Sequence, residues 1–154
     1  MATNIYQATI EGRTITWTLT ITNTNASSSK GTQTIGVVGD AKLVYGSPSG
    51  NDRGDYVLPS YMRVRVLDTD ANDLYNELET QTSDKDFEVV LSDSGGDYEW
   101  HGFIRKDTAQ RRFFPDLGYE LIDVYVYDGV GLMKEENVSS TASWYIPAKP
   151  ITEL

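Results

Sequence analysis

The chain has 154 residues, the size of one ordinary domain, and is long enough to bury roughly two thirds of its unfolded surface. Its 23 acidic and 13 basic residues give a formal net charge of −10, which opposes sequence-specific binding to nucleic acid because phosphate contacts need clustered Lys and Arg. The lack of cysteine excludes disulfides and thiolate metal sites, and a single histidine disfavours imidazole chemistry.

The first predicted element is an antiparallel hairpin. Apolar and polar residues alternate from Tyr6, a turn is expected at Gly12, and alternation resumes through Trp17 with threonines on the other face. The threonine face is expected to point outward. Residues 23–33 hold no apolar side chain larger than alanine, so a mobile loop is predicted there.

A strand over residues 34–45 is predicted next, interrupted by a bulge or turn at Gly39. Residues 46–55 are rich in turn formers and are predicted to form a surface loop. An Arg-Gly-Asp tripeptide begins there at Arg53, a sequence that some cell-adhesion receptors recognise. Three residues match often by chance, so a plain surface loop is the preferred interpretation.

Residues 61–67 alternate as a strand that places Arg63 and Arg65 on one face, toward solvent, an acidic loop or a partner subunit. A short helix is predicted over residues 72–79, with Asp70 able to cap it.

The same segment has the spacing of oxygen ligands found in a calcium-binding loop. Asp73 stands where such a loop needs glycine, and no helix is evident before the loop, so capping and solvated carboxylates explain the residues as well. The weak calcium candidates are Asp68, Asp70, Asn72 and Glu79.

A second hairpin is predicted from residues 87–105, with a tight turn at residues 93–96. His101 lies within its return strand with no serine or second histidine nearby, which favours a structural histidine over a catalytic base. Residues 106–118 are predicted to form a long loop. That loop and the C-terminal region supply the candidate interface anchors Arg111, Arg112, Phe113, Phe114 and Trp144.

The central strand is predicted at Tyr119–Tyr127, because apolar or aromatic residues occupy both of its alternating faces. Asp128 is placed to cap a short helical run that follows. The predicted fold is therefore mainly β, an antiparallel β-barrel or sandwich of about seven strands with one or two short helices. A single domain is expected over residues 1–136, with residues 137–154 as a C-terminal extension or arm.

The sequence offers little catalytic chemistry. Pairs such as Asp93 with Asp97, or Asp123 with Asp128, have the residue type for acid–base work on a sugar, but turns and caps account for them. No phosphate-cradling loop, signal peptide or stretch long enough to span a membrane is evident. We therefore expect no enzymatic activity, no cofactor and no membrane insertion.

Several blocks, in their order and spacing, carry a family resemblance over about residues 5–136. They are residues 58–60, the run YEWHGFI at residues 98–104 followed by Asp107, residues 118–120, and the run YDGVGLMK at residues 127–134. This pattern resembles the N-terminal domain of tail proteins from tailed phages and prophages, often of Bacteroidetes type. The departures, at Gly118, Val130 and Met133, leave the apolar character unchanged.

The resemblance implies a β-barrel structural protein of a phage tail, a hub or baseplate component that forms a trimeric or hexameric ring around the DNA conduit with other tail subunits. It also implies a location in the virion after assembly in the bacterial host cytoplasm. An acidic lumen would let DNA slide. The alternative is a free-standing β-sandwich that binds glycans or mediates adhesion. Trp17 and Trp100 are expected in the core, which leaves Trp144 as its ligand platform.

Overall fold

The computed structural model describes residues 2–45, 60–69, 73–105, 108–114 and 119–129. Within these ranges the chain is mainly β, with ten strands and one short helix. The strands are β1 (Ala2–Glu11), β2 (Thr16–Ala26), β3 (Gly31–Thr34), β4 (Gly36–Val37), β5 (Lys42–Tyr45), β6 (Ser60–Thr69), β7 (Phe87–Asp93), β8 (Glu99–Ile104), β9 (Gln110–Phe114) and β10 (Tyr119–Tyr127). The helix α1 (Leu74–Glu79) lies between β6 and β7.

The strands form one sheet that curls into a nearly closed barrel. Its order is β3-β1-β2-β7-β8-β10-β6-β4, with β5 also on β6 and β9 also on β10. One short segment joins the two ends of this order, because β3 pairs in parallel with β1 and β4 pairs antiparallel with β6. Between them, the amide of Ile35 donates to the carbonyl of Gln7 at 2.8 Å. Residues 31–37 thereby connect opposite edges of the sheet and cover them.

The core lies inside this curled sheet, as strand alternation predicts. Leu19 and Ile21 of β2 are fully buried, and so are Val64 of β6 and Val124 of β10. Burying each such side chain stabilises the fold by about 1.5–3 kcal/mol before the cost of ordering it. The opposite faces of the same strands carry threonines, arginines and tyrosines that are exposed or half-buried.

Helix α1 is attached to the sheet by polar side chains as well as by its buried Leu74 and Leu78. The carboxylate of Asp68, at the end of β6, accepts from the amides of Leu74 at 2.8 Å and Tyr75 at 3.4 Å. Asp73, immediately before the helix, has a left-handed backbone with φ of 55° and makes no capping bond with its side chain. The first orphan amides of the helix are therefore satisfied from a neighbouring strand.

Glu77 makes the second attachment of α1. Its carboxylate accepts from the side-chain amides of Asn4 at 2.7 Å and Asn23 at 2.8 Å, and it pairs with Lys30 at 3.0 Å. Burial, followed by the charge and hydrogen bond of Glu77, raises the pKa of Tyr6. Side chains from β1, from β2 and from the residue before β3 thus converge on one carboxylate of α1.

The main expectations for the fold are confirmed. The chain is mainly β and barrel-like, both hairpins form, and the predicted central strand is β10, which pairs with β6, β8 and β9. The prediction that both faces of β10 are covered is wrong. The face with Ile122 and Val124 is buried, whereas on the other face Leu121 and Tyr125 are half-buried and Asp123 alone is buried.

Other predicted boundaries are corrected. Residues 23–33 are not one loop, because β2 continues to Ala26 and Gly31 begins β3. Residues 106–118 likewise include strand β9, which pairs with β10. Among the described residues the sheet has ten strands instead of about seven, and α1 begins at Leu74 instead of residue 72. The loop at residues 46–55 and the region from residue 130 onward lie outside the described residues.

Candidate association surface

The outer face of β6 and β10 carries an unusual concentration of charged and aromatic side chains. Alternation along β6 turns Arg63 and Arg65 outward, and the antiparallel register places them opposite Tyr125 and Asp123 of β10. Cross-strand neighbours on one face are close enough to interact, so the sheet itself brings these four side chains together.

Asp123 is buried although it lies on this outer face. It is 3% exposed because Arg65 covers it, with Nε at 2.8 Å from Oδ1 and Nη2 at 3.1 Å from Oδ2. Arg112 of β9 adds a third contact, with its Nε 3.8 Å from Oδ2. The hydrogen bonds from Arg65 outweigh burial and lower the pKa of Asp123, and the same bonds raise the pKa of Arg65.

Arginine side chains also lie over tyrosine rings on this face. The guanidinium of Arg63 is 5.4 Å from the centre of the Tyr125 ring, and that of Arg105 is 5.7 Å from the Tyr127 ring. Tyr61 lies beside Tyr127, with ring centres 6.5 Å apart. Arg and Tyr in this arrangement are the residue types that are enriched at protein–protein interfaces.

A cavity of about 300 Å³ opens beside these residues, and we call it the basic cleft. Three cations and two carboxylates line it together with a short apolar and glycine segment. The lining residues are Val38, Gly39, Asp40, Lys42, Arg63, Arg65 and Asp123. Since Arg65 already binds Asp123, the remaining cations at the cleft are Lys42 and Arg63, which are exposed and form no ion pair with another described residue. The second carboxylate, Asp40, leaves the cleft with one more cation than carboxylates, so an acidic chain presents a locally basic surface.

Of the predicted interface anchors, the structure describes the side chains of two, and it gives Arg111 and Arg112 different partners. Arg111 turns away from the outer face, pairs with the buried Glu120 and lies 4.9 Å from the Tyr75 ring. Arg112 contacts Asp123 on the outer face instead. Phe113 and Phe114 belong to β9, but their side chains are not described, and Trp144 lies outside the described residues. Both arginines thus have partners within the chain.

The calcium candidates are not assembled by the described part of the structure. One carboxylate oxygen of Asp68 serves the amides of α1, and Glu79 is exposed on that helix and hydrogen-bonds Tyr75. Asp70 and Asn72 lie outside the described residues. Among those that are described, no group of three or more His, Asp or Glu side chains is arranged to hold a metal ion.

The other residues singled out in the sequence have structural partners. Trp100 is half-buried and donates from Nε1 to the Ser60 hydroxyl at 2.9 Å. Ser60 in turn donates to Asp128 from its amide and its hydroxyl. Asp123 instead pairs with Arg65, so the two carboxylates have different partners. His101 is exposed between two glutamates, which raise its pKa by hydrogen bonding.

Sequence reasoning missed the basic cleft because its residues come from three separate segments. The outward placement of Arg63 and Arg65 was readable from alternation, and a charged Asp123 inside an apolar strand was a further signal. Lys42 carries no such signal, since only the pairing of β5 with β6 brings it opposite Arg63.

No described helix is long and apolar enough to cross a lipid bilayer. Comparisons of the chain with protein-family models, with curated proteins and with solved structures found no match.

Proposed function

We propose that this chain is a structural subunit that acts by associating with copies of itself and with neighbouring subunits. The observation that carries the proposal is the outer face of β6 and β10, where Arg and Tyr side chains surround the basic cleft on a protein of net charge −10. Local positive charge on an acidic protein is complementary to the rest of its own surface, which favours contact between copies.

The sequence resemblance gives this association a biological setting. A hub, baseplate or tail-tip component of a phage tail would form a trimeric or hexameric ring with the DNA conduit at its centre. The chain would then be assembled in the bacterial host cytoplasm and would remain in the virion. Carboxylates facing the lumen would repel phosphate, so that DNA passes without sticking.

The test is the molar mass of the purified chain by light scattering, measured across concentration at about 0.1 M and about 1 M salt. Over that range the Debye length falls from about 10 Å to about 3 Å, so association through charged surfaces should weaken. We expect a trimer or hexamer at low salt and rings of the same order in electron micrographs. A monomer at every concentration, or binding to a glycan array by that monomer, would overturn the proposal.

A further inference from the structure

The turn between β7 and β8, residues 93–98, is an exposed acidic feature that we call the acidic turn. The carboxylates of Asp93 and Asp97 both lie close to Gly95, at 3.3 Å and 3.5 Å from the position that a β-carbon would take there. Gly96 has a φ of 76°, which lets the chain reverse tightly. Neither aspartate forms an ion pair with another described residue.

Exposed apolar side chains accompany the acidic turn and the basic cleft. The described large apolar residues with the greatest exposure are Tyr98 at 67%, Ile15 at 43% and Val38 at 41%. Tyr98 ends the acidic turn and meets Trp17 edge to face at 6.5 Å, and Ile15 is close by because the Ser94 amide bonds the Thr16 carbonyl. Val38 lines the basic cleft.

We infer that the acidic turn of one copy docks into the basic cleft of the next. In this contact the carboxylates of Asp93 and Asp97 face Lys42 and Arg63, and Tyr98 packs beside Val38. The two surfaces are opposite in charge, because Lys42 and Arg63 outnumber Asp40, the cleft carboxylate that forms no ion pair with another described residue, and each surface carries an exposed apolar side chain. The inference rests on the proposed function, and it names the segment through which copies meet.

Other carboxylates fit the cleft less well. Glu88 and Glu99 of the adjoining strands also face outward, but both hydrogen-bond His101. The acidic turn lies at the ends of β7 and β8 and is exposed, so its side chains can enter a concave site. A cavity of about 300 Å³ is at the lower end of the range for ligand pockets, which suits a narrow turn and its side chains.

A turn and a cleft are different surfaces, so the contact is head-to-tail. Each copy offers one of each, and such contacts repeat until a ring closes or a filament grows. Because each copy carries one turn and one cleft, variants of the two surfaces distinguish the inferred contact from association in general.

The experiment uses two single variants and their combination. Arg63→Glu alters the cleft and leaves the turn intact, whereas Asp97→Lys alters the turn and leaves the cleft intact. Asp97 is preferred over Asp93, because Asp93 also accepts a hydrogen bond from the Tyr98 amide at 3.1 Å within the turn. We expect each variant alone to self-associate at least about ten-fold more weakly than the unmodified chain.

Mixing the two variants should restore the larger assembly. The intact turn of the Arg63→Glu chain fits the intact cleft of the Asp97→Lys chain. At the next contact the glutamate introduced at position 63 of one chain faces the lysine introduced at position 97 of the other with the charges exchanged, so the two chains alternate and growth resumes. The double variant carries both reversals, which restores opposite charges and should recover the larger assembly. Light scattering measures all four samples, and circular dichroism confirms that each is folded.

Matched controls make the same charge changes at the other end of the barrel, near α1. They are Lys85→Glu for the cleft variant and Glu79→Lys for the turn variant, and both should assemble like the unmodified chain.

If the unmodified chain assembles and the Arg63→Glu and Asp97→Lys variants assemble equally well, the inferred contact is wrong while the proposed function stands. If the unmodified chain is always a monomer, both fail. Should Arg63→Glu disturb folding, Arg63→Gln gives the same comparison without reversing the charge.

Discussion

Replacing Glu77 with alanine should destabilise the protein far more than its position on a six-residue helix suggests. The change leaves the side-chain amides of Asn4, which is fully buried, and Asn23, which is 4% exposed, without the acceptors they use at 2.7 Å and 2.8 Å. It also removes the anion that pairs with Lys30. Each buried donor left unsatisfied costs about 1–3 kcal/mol.

The expected loss is therefore about 3–5 kcal/mol, the range for breaking a buried charged contact from one side. That is a large part of the roughly 5–15 kcal/mol that stabilises an ordinary domain, and it should lower Tm by about 10 °C or more. Urea unfolding followed by tryptophan fluorescence measures the free energy directly. A Glu77→Gln variant keeps one acceptor oxygen, so its stability should lie between those of the unmodified chain and Glu77→Ala.

Glu79→Ala is the matched control, because it removes the same side chain from an exposed position of the same helix. Its cost should stay within about 0.5–1 kcal/mol. If Glu77→Ala and Glu79→Ala lost the same stability, the convergence of Asn4, Asn23 and Lys30 on Glu77 would not hold the helix to the sheet.

Two further changes test the sheet itself. Gly102→Ala should cost about 1–3 kcal/mol in thermal or urea unfolding, because its β-carbon would lie 2.6 Å from the Trp100 ring and 2.9 Å from a backbone carbonyl of β10; an unchanged Tm would show that β8 and β10 are not so close. The pKa of Asp123 is lowered by Arg65, so this carboxylate contributes stability that is present above its unfolded value of 3.8 and is lost as pH falls through the lowered pKa. Arg65→Met should therefore lower the free energy of unfolding at pH 7 and reduce its further loss below pH 3.8. If urea unfolding showed the same pH dependence below pH 3.8 in the variant and the unmodified chain, the pairing would be refuted.

The parts of the fold that could be read from the sequence are those with a local signal. Strand β2 alternates apolar residues with threonines, and β10 carries branched apolar residues at every second position, so both were predictable from period-two patterning. The turn at residues 93–96 was equally clear, because its glycines permit a tight reversal. Strands β2 and β10 supply Leu19, Ile21, Ile122, Val124 and Val126 to the core.

The missed strands take their structure from their partners. β3 reads GTQT and β9 reads QRRFF, and neither has alternating apolar residues. β3 forms because β1 offers a parallel edge, and β9 forms because β10 extends beyond β8 on the same side. Such pairing is a tertiary effect that overrides a polar local sequence.

The same limit applies to the polar contacts. Glu77 is 73 residues from Asn4 and 54 residues from Asn23, so no local spacing could connect them. A loop was predicted from Asn23 onward because residues 23–33 hold no apolar side chain larger than alanine, yet the carboxylate on α1 satisfies the Asn23 amide and β2 continues past it. The basic cleft has the same origin, since the outward arginines were predictable but their meeting with Lys42 was not.

The way the sheet closes also bears on how copies can join. Residues 31–37 form backbone hydrogen bonds with β1 and with β6, near the two ends of the strand order. The short strand β9, which lies beside β8 on β10, carries two arginines. Short, charged strands are poor templates for the addition of another strand. Side chains, not backbone hydrogen bonds, should therefore carry the association, and contacts between charged side chains weaken as salt is added.

Strand addition would instead give an assembly that persists unchanged at about 1 M salt, where the Debye length is about 3 Å. The salt dependence of the molar mass thus distinguishes docking at the basic cleft from edge-to-edge pairing before any residue is changed.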